Sequence, residues 1–303
     1  MVMNHEIRYS VFTRVNAPAS VVWEILRSPA TYQTAWNAEL VTRWVKGEPI
    51  GFSGIWEDQP YQDKGVILEI ADERWVEFSY WSSFWEAPDI EGEYSVIRYE
   101  VEPIDTFSCE LTIMQRGFRD DVHYQETVRL WNDTINIMKQ LAEKSDLRSR
   151  ISATFGGLAE LIGALSPEAY NRTVTSKWTV GQLVEHVIMS NAGFRDFLTG
   201  NAAASTRDYD THVPEIRALM SNQSVGLQAP EFLVPPAVTY DAGRHVGALQ
   251  GIKDELLACT ELDLTQICNG FDMPPFGVLT FFEWLTFAAF HTERHRQQVA
   301  ARI

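Results

Sequence analysis

The chain has 303 residues, 45% of them hydrophobic, with a formal net charge of −16. That length fits two domains of ordinary size, each able to bury a core. The acidity disfavours nucleic acid and anionic membrane as partners, because both recruit cationic surfaces.

The N-terminus turns polar at once at Asn4-His5-Glu6, unlike a signal peptide. No run reaches the ~20 apolar residues of a membrane span. Cys109, Cys259 and Cys268 form no Cys-x-x-Cys pair, and an odd count argues for a reducing compartment. The expectation is a soluble cytoplasmic protein.

Residues 7–15 alternate apolar and polar side chains and predict a strand. After the break at Asn16-Ala17-Pro18, Val21 to Leu26 has helical character, and a second short helix is expected through Tyr32 and Trp36. Strands follow at 65–70, 75–81, 94–101 and 109–116, separated by turn signals such as Asp58-Gln59-Pro60 and Glu102-Pro103. Val128, Trp131, Ile135, Met138 and Leu141 then recur at helical spacing within 124–144. This order predicts an α+β domain in which a curved antiparallel sheet grips a long C-terminal helix. Trp75, Phe78, Tyr80, Trp81, Phe84 and Trp85 are dense enough to wall a cavity, though the same residues serve as ordinary core and rim. His123, beside Asp120-Asp121, reads as surface.

The run Val15-Asn16-Ala17-Pro18-Ala19-Ser20-Val21-Val22-Trp23-Glu24-Ile25-Leu26, followed by Tyr32 and Trp36, resembles the opening of the START-like (SRPBCC) superfamily. Its nearest branch is the group similar to Hsp90-ATPase activators. The resemblance implies a helix-grip fold over residues 1–147, an apolar ligand held inside it, or a co-chaperone-like role.

Residues 142–150 are charged and short of apolar side chains, which suits a linker or continuous helix. Beyond it, 148–303 reads as an all-α four-helix bundle. Its helices are expected at 151–165, 179–200, 238–259 and 280–301, with a long polar stretch at 201–237 holding one short helix near 215–222. Thr179 with Gln182 forms a capping-box pattern.

His291 and His295 stand four apart, on one face of the last helix, and so can grip one metal ion. The same pair also suits a helix surface near a C-terminus. His186 lies on the helix after Thr179. If the two helices pack side by side, three imidazoles converge with a coordination position left open. His245, four residues after Asp241, reads as a surface pair. Glu293 faces away from His291, and Glu185 points elsewhere than its neighbour His186.

Trp178-Thr179-x6-His186 together with His291-x3-His295-x2-Gln298 is similar to the DinB superfamily. The resemblance implies a divalent transition metal on His186, His291 and His295, with zinc foremost and nickel, iron or manganese as alternatives. It also implies a small-molecule substrate and, in the S-transferase branches, a low-molecular-weight thiol. Two functional classes stay open: a metal-dependent hydrolase or S-transferase, and a non-catalytic binding module whose helical half is structural or forms a homodimer.

Overall fold

The first strand runs from Asn4 to Val15, with exposure alternating from Tyr9 onward, and this strand, β1, forms one edge of a sheet in a computed structural model. The structure describes residues 3–56, 58–85, 87–173 and 177–303. Two units are resolved, Met1–Asp146 and Leu147–Ile303.

In the first unit β1 is followed by helices α1, Ala19–Arg27, and α2, Pro29–Trp36. Six strands follow: β2 (Ala38–Thr42), β3 (Pro49–Trp56), β4 (Gln59–Ala71), β5 (Trp75–Tyr80), β6 (Ser95–Asp105) and β7 (Ser108–Phe118). Every pairing is antiparallel, in the order β1-β7-β6-β5-β4-β3-β2. Helix α3, Asp121–Gly163, carries Trp131, Ile135, Met138 and Ala142 into this unit's core. The helix-grip expectation holds. Strand β3 lacked a strong period in the sequence because Gly51, Ser53 and Gly54 dilute the alternation, and β2 is only five residues long.

Aromatic rings fill the core. Tyr32, Phe52, Phe78, Tyr99 and Trp131 are fully buried, and Trp36 packs edge-on against Phe52 and Tyr32. The dense segment divides: Phe78 is core, whereas Phe84 is 49% exposed. Gly65 is needed where it stands, because a Cβ there would lie 1.6 Å from the Ser79 carbonyl oxygen of the neighbouring strand. His123 departs from the surface reading. It is only 6% exposed, with its ring against Trp85 and Phe118. The polar sequence around it describes the helix start, not the aromatic wall that folds over it.

The charged stretch at 142–150 is not an extended linker but part of α3. From Leu147 onward its stripe of Ile151, Phe155, Leu158 and Ile162 is buried in the second unit. The other helices there are α4 (Pro167–Asn171), α5 (Val180–Asn191), α6 (Phe194–Gly200), α7 (Val213–Ser221), α8 (Ala242–Cys259) and α9 (Phe281–Ala300). The helix expected over 179–200 breaks in two at Gly193, whose φ of +66° is left-handed. The framework is helical as expected. It also carries a small three-stranded sheet of β8 (Ala202–Ala203), β9 (Ile267–Met273) and β10 (Gly277–Thr280), in the order β10-β9-β8. Strands β8 and β10 are too short to show a period, and Asn269-Gly270 interrupts the alternation of β9.

Candidate metal centre

Helix α5 starts as its sequence dictates. The Thr179 hydroxyl accepts from Gln182 N–H at 3.1 Å, and the Gln182 side chain accepts from Thr179 N–H at 3.0 Å. Thr280 and Glu283 repeat the device at the start of α9. Fourteen of the twenty residues of α9 are buried, so this helix runs through the unit's interior rather than along its face. Arg207 and the backbone N–H of His212 donate to the fully buried Glu283, tying residues 207–212 to the α9 N-terminus.

Helices α5 and α9 pack together, and their histidines meet. His291 Nε2 lies 3.3 Å from His186 Nε2 and 3.1 Å from His295 Nε2. One ligand atom from each ring falls within 4.8 Å of both others. A tetrahedral zinc with Zn–N distances of ~2.05 Å places its nitrogen ligands about 3.3 Å apart. His186, His291 and His295 are 4%, 8% and 8% exposed, so the cluster is not a solvated surface pair. Phe287 stacks on His291, 5.3 Å between centroids, and Trp178 lies 5.2 Å from the ring of His186.

The hydrogen positions follow from the partners. The Leu233 carbonyl oxygen can only accept, and it lies 2.8 Å from His186 Nδ1. Gln298 Oε1 lies 3.0 Å from His295 Nδ1. His186 Nδ1 therefore carries hydrogen and its Nε2 lone pair points inward, and His295 takes the same form with Gln298 Oε1 facing it. His291 Nδ1 is buried without a hydrogen-bond partner.

Burial disfavours the charged form of all three rings. Burial pushes His186 below its usual range, against the raising effect of the Leu233 carbonyl. Burial first, then the neighbouring His295 and His186, hold His291 well below it. Burial and His186 push His295 down to about 3. Neutral imidazoles with convergent lone pairs are the form in which histidine binds a metal, so the donor set fits a divalent ion.

The other side chains singled out in the sequence fall elsewhere. Glu293 faces away as expected and pairs with Arg296 at 2.7 Å. His245 departs from its surface reading: it is 7% exposed, 3.0 Å from Glu185 and 2.6 Å from the Tyr170 hydroxyl. Asp241 does not fill that role, because its carboxylate caps α8 by accepting from Arg244 N–H. The Glu185–His245 contact joins α5 to α8. Sequence reasoning missed it, since helix spacing signals only partners on the same helix.

Fold and site define a two-domain protein, in which a helix-grip domain precedes a helical domain with three converging histidines. Residues 16–143 match the family of Activator of Hsp90 ATPase homolog 1-like proteins, and residues 150–299 match the DinB superfamily. The chain thus joins an Hsp90-activator-like domain to a DinB-superfamily domain. No curated protein matches it. Among solved structures, a protein of Cytophaga hutchinsonii is 24% identical, with a TM-score of 0.41 over 47% of this chain and 98% of its own. A protein of Mesorhizobium loti is 18% identical, with a TM-score of 0.39 over 46% of this chain and 99% of its own. An Hsp90 activator from Plasmodium falciparum is 10% identical, with a TM-score of 0.34 over 41% of this chain and 87% of its own. Among the described residues no helix is long and apolar enough to cross a membrane.

Proposed function

We propose that the second unit holds a divalent transition metal on His186, His291 and His295 and serves a hydrolytic or thiol-transfer reaction on a small molecule. One observation carries this reading: three buried Nε2 atoms converge, and the partners of two of them leave their lone pairs free. Bound there, a divalent ion supplies Lewis acidity, which serves water and thiol nucleophiles alike. The chain's own residues orient the rings: the Leu233 carbonyl fixes His186, Gln298 fixes His295, and Phe287 backs His291. Zinc suits three imidazoles, and nickel, iron and manganese are the alternatives to test beside it. The DinB resemblance supports a low-molecular-weight thiol as co-substrate.

Metal analysis of tag-free protein purified without chelator tests the reading. The expected result is about one equivalent of metal per chain, with a thermal midpoint that rises on adding zinc or nickel. Metal-free protein whose melting is indifferent to both ions sinks it.

For the first unit we propose a smaller role, the holding of an apolar ligand against half-buried Trp36, Tyr80 and Trp85. The continuity of edge-on contacts from Trp36 through Phe52 and Tyr80 to Trp85 supports it. Native mass spectrometry of freshly purified protein should show a co-purifying small apolar molecule, and its absence from every preparation argues for an aromatic core alone.

A further inference from the structure

Between α7 and α8 the chain runs without helix or strand, save a single 3-10 turn at Glu231–Leu233. Near Tyr240 it is tied to Asn171 of α4, and the anchors on its earlier part come from the two helices that carry the histidines. The Arg294 guanidinium, on the residue preceding His295, is buried and donates to the carbonyls of Met220, Asn222 and Val225 at 3.3, 2.7 and 2.5 Å. Gln182, on α5, donates to the Pro235 carbonyl at 3.4 Å. Between these anchors lies the Leu233 carbonyl, held against His186.

We propose that Gln223, an exposed residue of this segment, is a positioning residue of the histidine centre, acting through Gln298 to fix which nitrogen of His295 carries hydrogen. Amide orientation is normally ambiguous, but here one end of the chain of bonds is fixed. The Arg294 backbone carbonyl can only accept, and it lies 3.4 Å from Gln223 Nε2. That end of the amide also donates to Gln297 Oε1 at 3.1 Å. Gln223 Oε1 is thereby left to accept from Gln298 Nε2 at 3.3 Å. With its NH2 so engaged, Gln298 turns Oε1 to His295 Nδ1 at 3.0 Å. An oxygen without hydrogen requires an N–H opposite it, so Nδ1 is protonated and Nε2 points bare at His291. Reverse the Gln223 amide and the sequence of donors and acceptors reverses with it. The segment 222–233 thus orients both outer histidines, one by its Leu233 carbonyl and one by the Gln223 side chain. Neither group is a ligand. That this orientation serves metal binding rests on the function proposed above, whereas the hydrogen placement stands without it.

Nitrogen-15 NMR of the imidazoles in the metal-free full-length chain tests the hydrogen placement directly. His186 and His295 should each appear as the Nδ1–H tautomer. Gln223→Ala and Gln298→Leu should convert His295 to a mixture while leaving His186 unchanged. Gln298→Glu should restore the single form, because a carboxylate also accepts from Nδ1–H. Zinc competition against a chromophoric chelator then gives the consequence: about tenfold weaker binding in Gln223→Ala, and near wild-type binding in Gln298→Glu. A wild-type His295 in the Nε2–H form, or a His295 tautomer indifferent to Gln223→Ala, overturns the inference. Zinc bound equally well by Gln223→Ala and wild type overturns its link to metal. Failure of zinc to bind any variant overturns the proposed metal function instead, and the tautomer spectra still decide the role of Gln223.

Discussion

Asp63 in the first unit and His291 in the second are both buried, yet their surroundings differ in kind. Asp63 is met by donors: the Tyr80 hydroxyl at 2.5 Å, the Ser82 hydroxyl at 2.9 Å and the Ser83 N–H at 2.9 Å. Burial and the adjacent carboxylate push the Tyr80 hydroxyl well above its usual range, so it stays a donor. Glu143 is placed in the same way, accepting from Lys139 Nζ at 2.6 Å and from Asn16 N–H at 2.7 Å. His291 instead faces two nitrogens that offer lone pairs, and its own Nδ1 has no partner. A buried group surrounded by complementary partners fastens a fold, whereas a cluster of facing acceptors is short of positive charge and suits a cation. The first unit reads as fastened, the second as a receptor.

The comparison breaks first at the centre itself. His291→Ala should weaken zinc binding about a thousandfold, equivalent to roughly 4 kcal/mol, in a chelator-competition titration. Retained affinity would place the metal elsewhere.

The fastened unit is tested by Glu143→Ala, which takes the carboxylate away from the buried Lys139 ammonium and leaves it the Arg14 carbonyl at 3.0 Å. Urea unfolding followed by tryptophan fluorescence should show a loss of about 3 kcal/mol in the first unit. A change below ~1 kcal/mol would mean that Lys139 reaches water once Glu143 is gone.

His123 gives the first unit a pH dependence. Burial, then the Arg119 cation, hold its imidazole down to about 4, against an ordinary value near 6.5. Between those values the unfolded chain binds more protons than the folded one. Stability is therefore full above about pH 6.5 and falls as the pH is lowered toward about 4, by up to ~3 kcal/mol. His123→Phe should flatten that slope in melts recorded across the range, and an unchanged slope would assign it to other groups.

The smallest effect is expected at Thr179→Ala, which removes the capping box of α5. Thermal denaturation should report a loss of about 1 kcal/mol, with zinc affinity nearly unchanged because α9 and the Leu233 carbonyl still hold the centre.

Much of the fold was legible because its signals are local. Trp131, Ile135 and Met138 repeat at helical spacing and are the face of α3 that enters the core, with Val128 of the same stripe half-buried. Thr179 and Gln182 specify a cap that forms as written. Strands β2 and β3 and the small sheet of the second unit were not legible, since short or glycine-bearing strands carry little period. At the candidate site, the His291–His295 pair could be placed on one face from spacing alone. The burial of His123 and His245 could not, because it comes from Trp85 in one case and from Glu185 and Tyr170 in the other.

By itself, then, the sequence determined a strand-rich half before a helical half, the caps of the helices, and a pair of imidazoles one turn apart. Tertiary structure alone decided that His186 meets that pair from 105 positions away, and that Gln223 reaches Gln298 from 75 away. Periodicity and capping are set within a few residues of backbone. The direction of a lone pair is set by whichever donor or carbonyl the folded chain brings beside it.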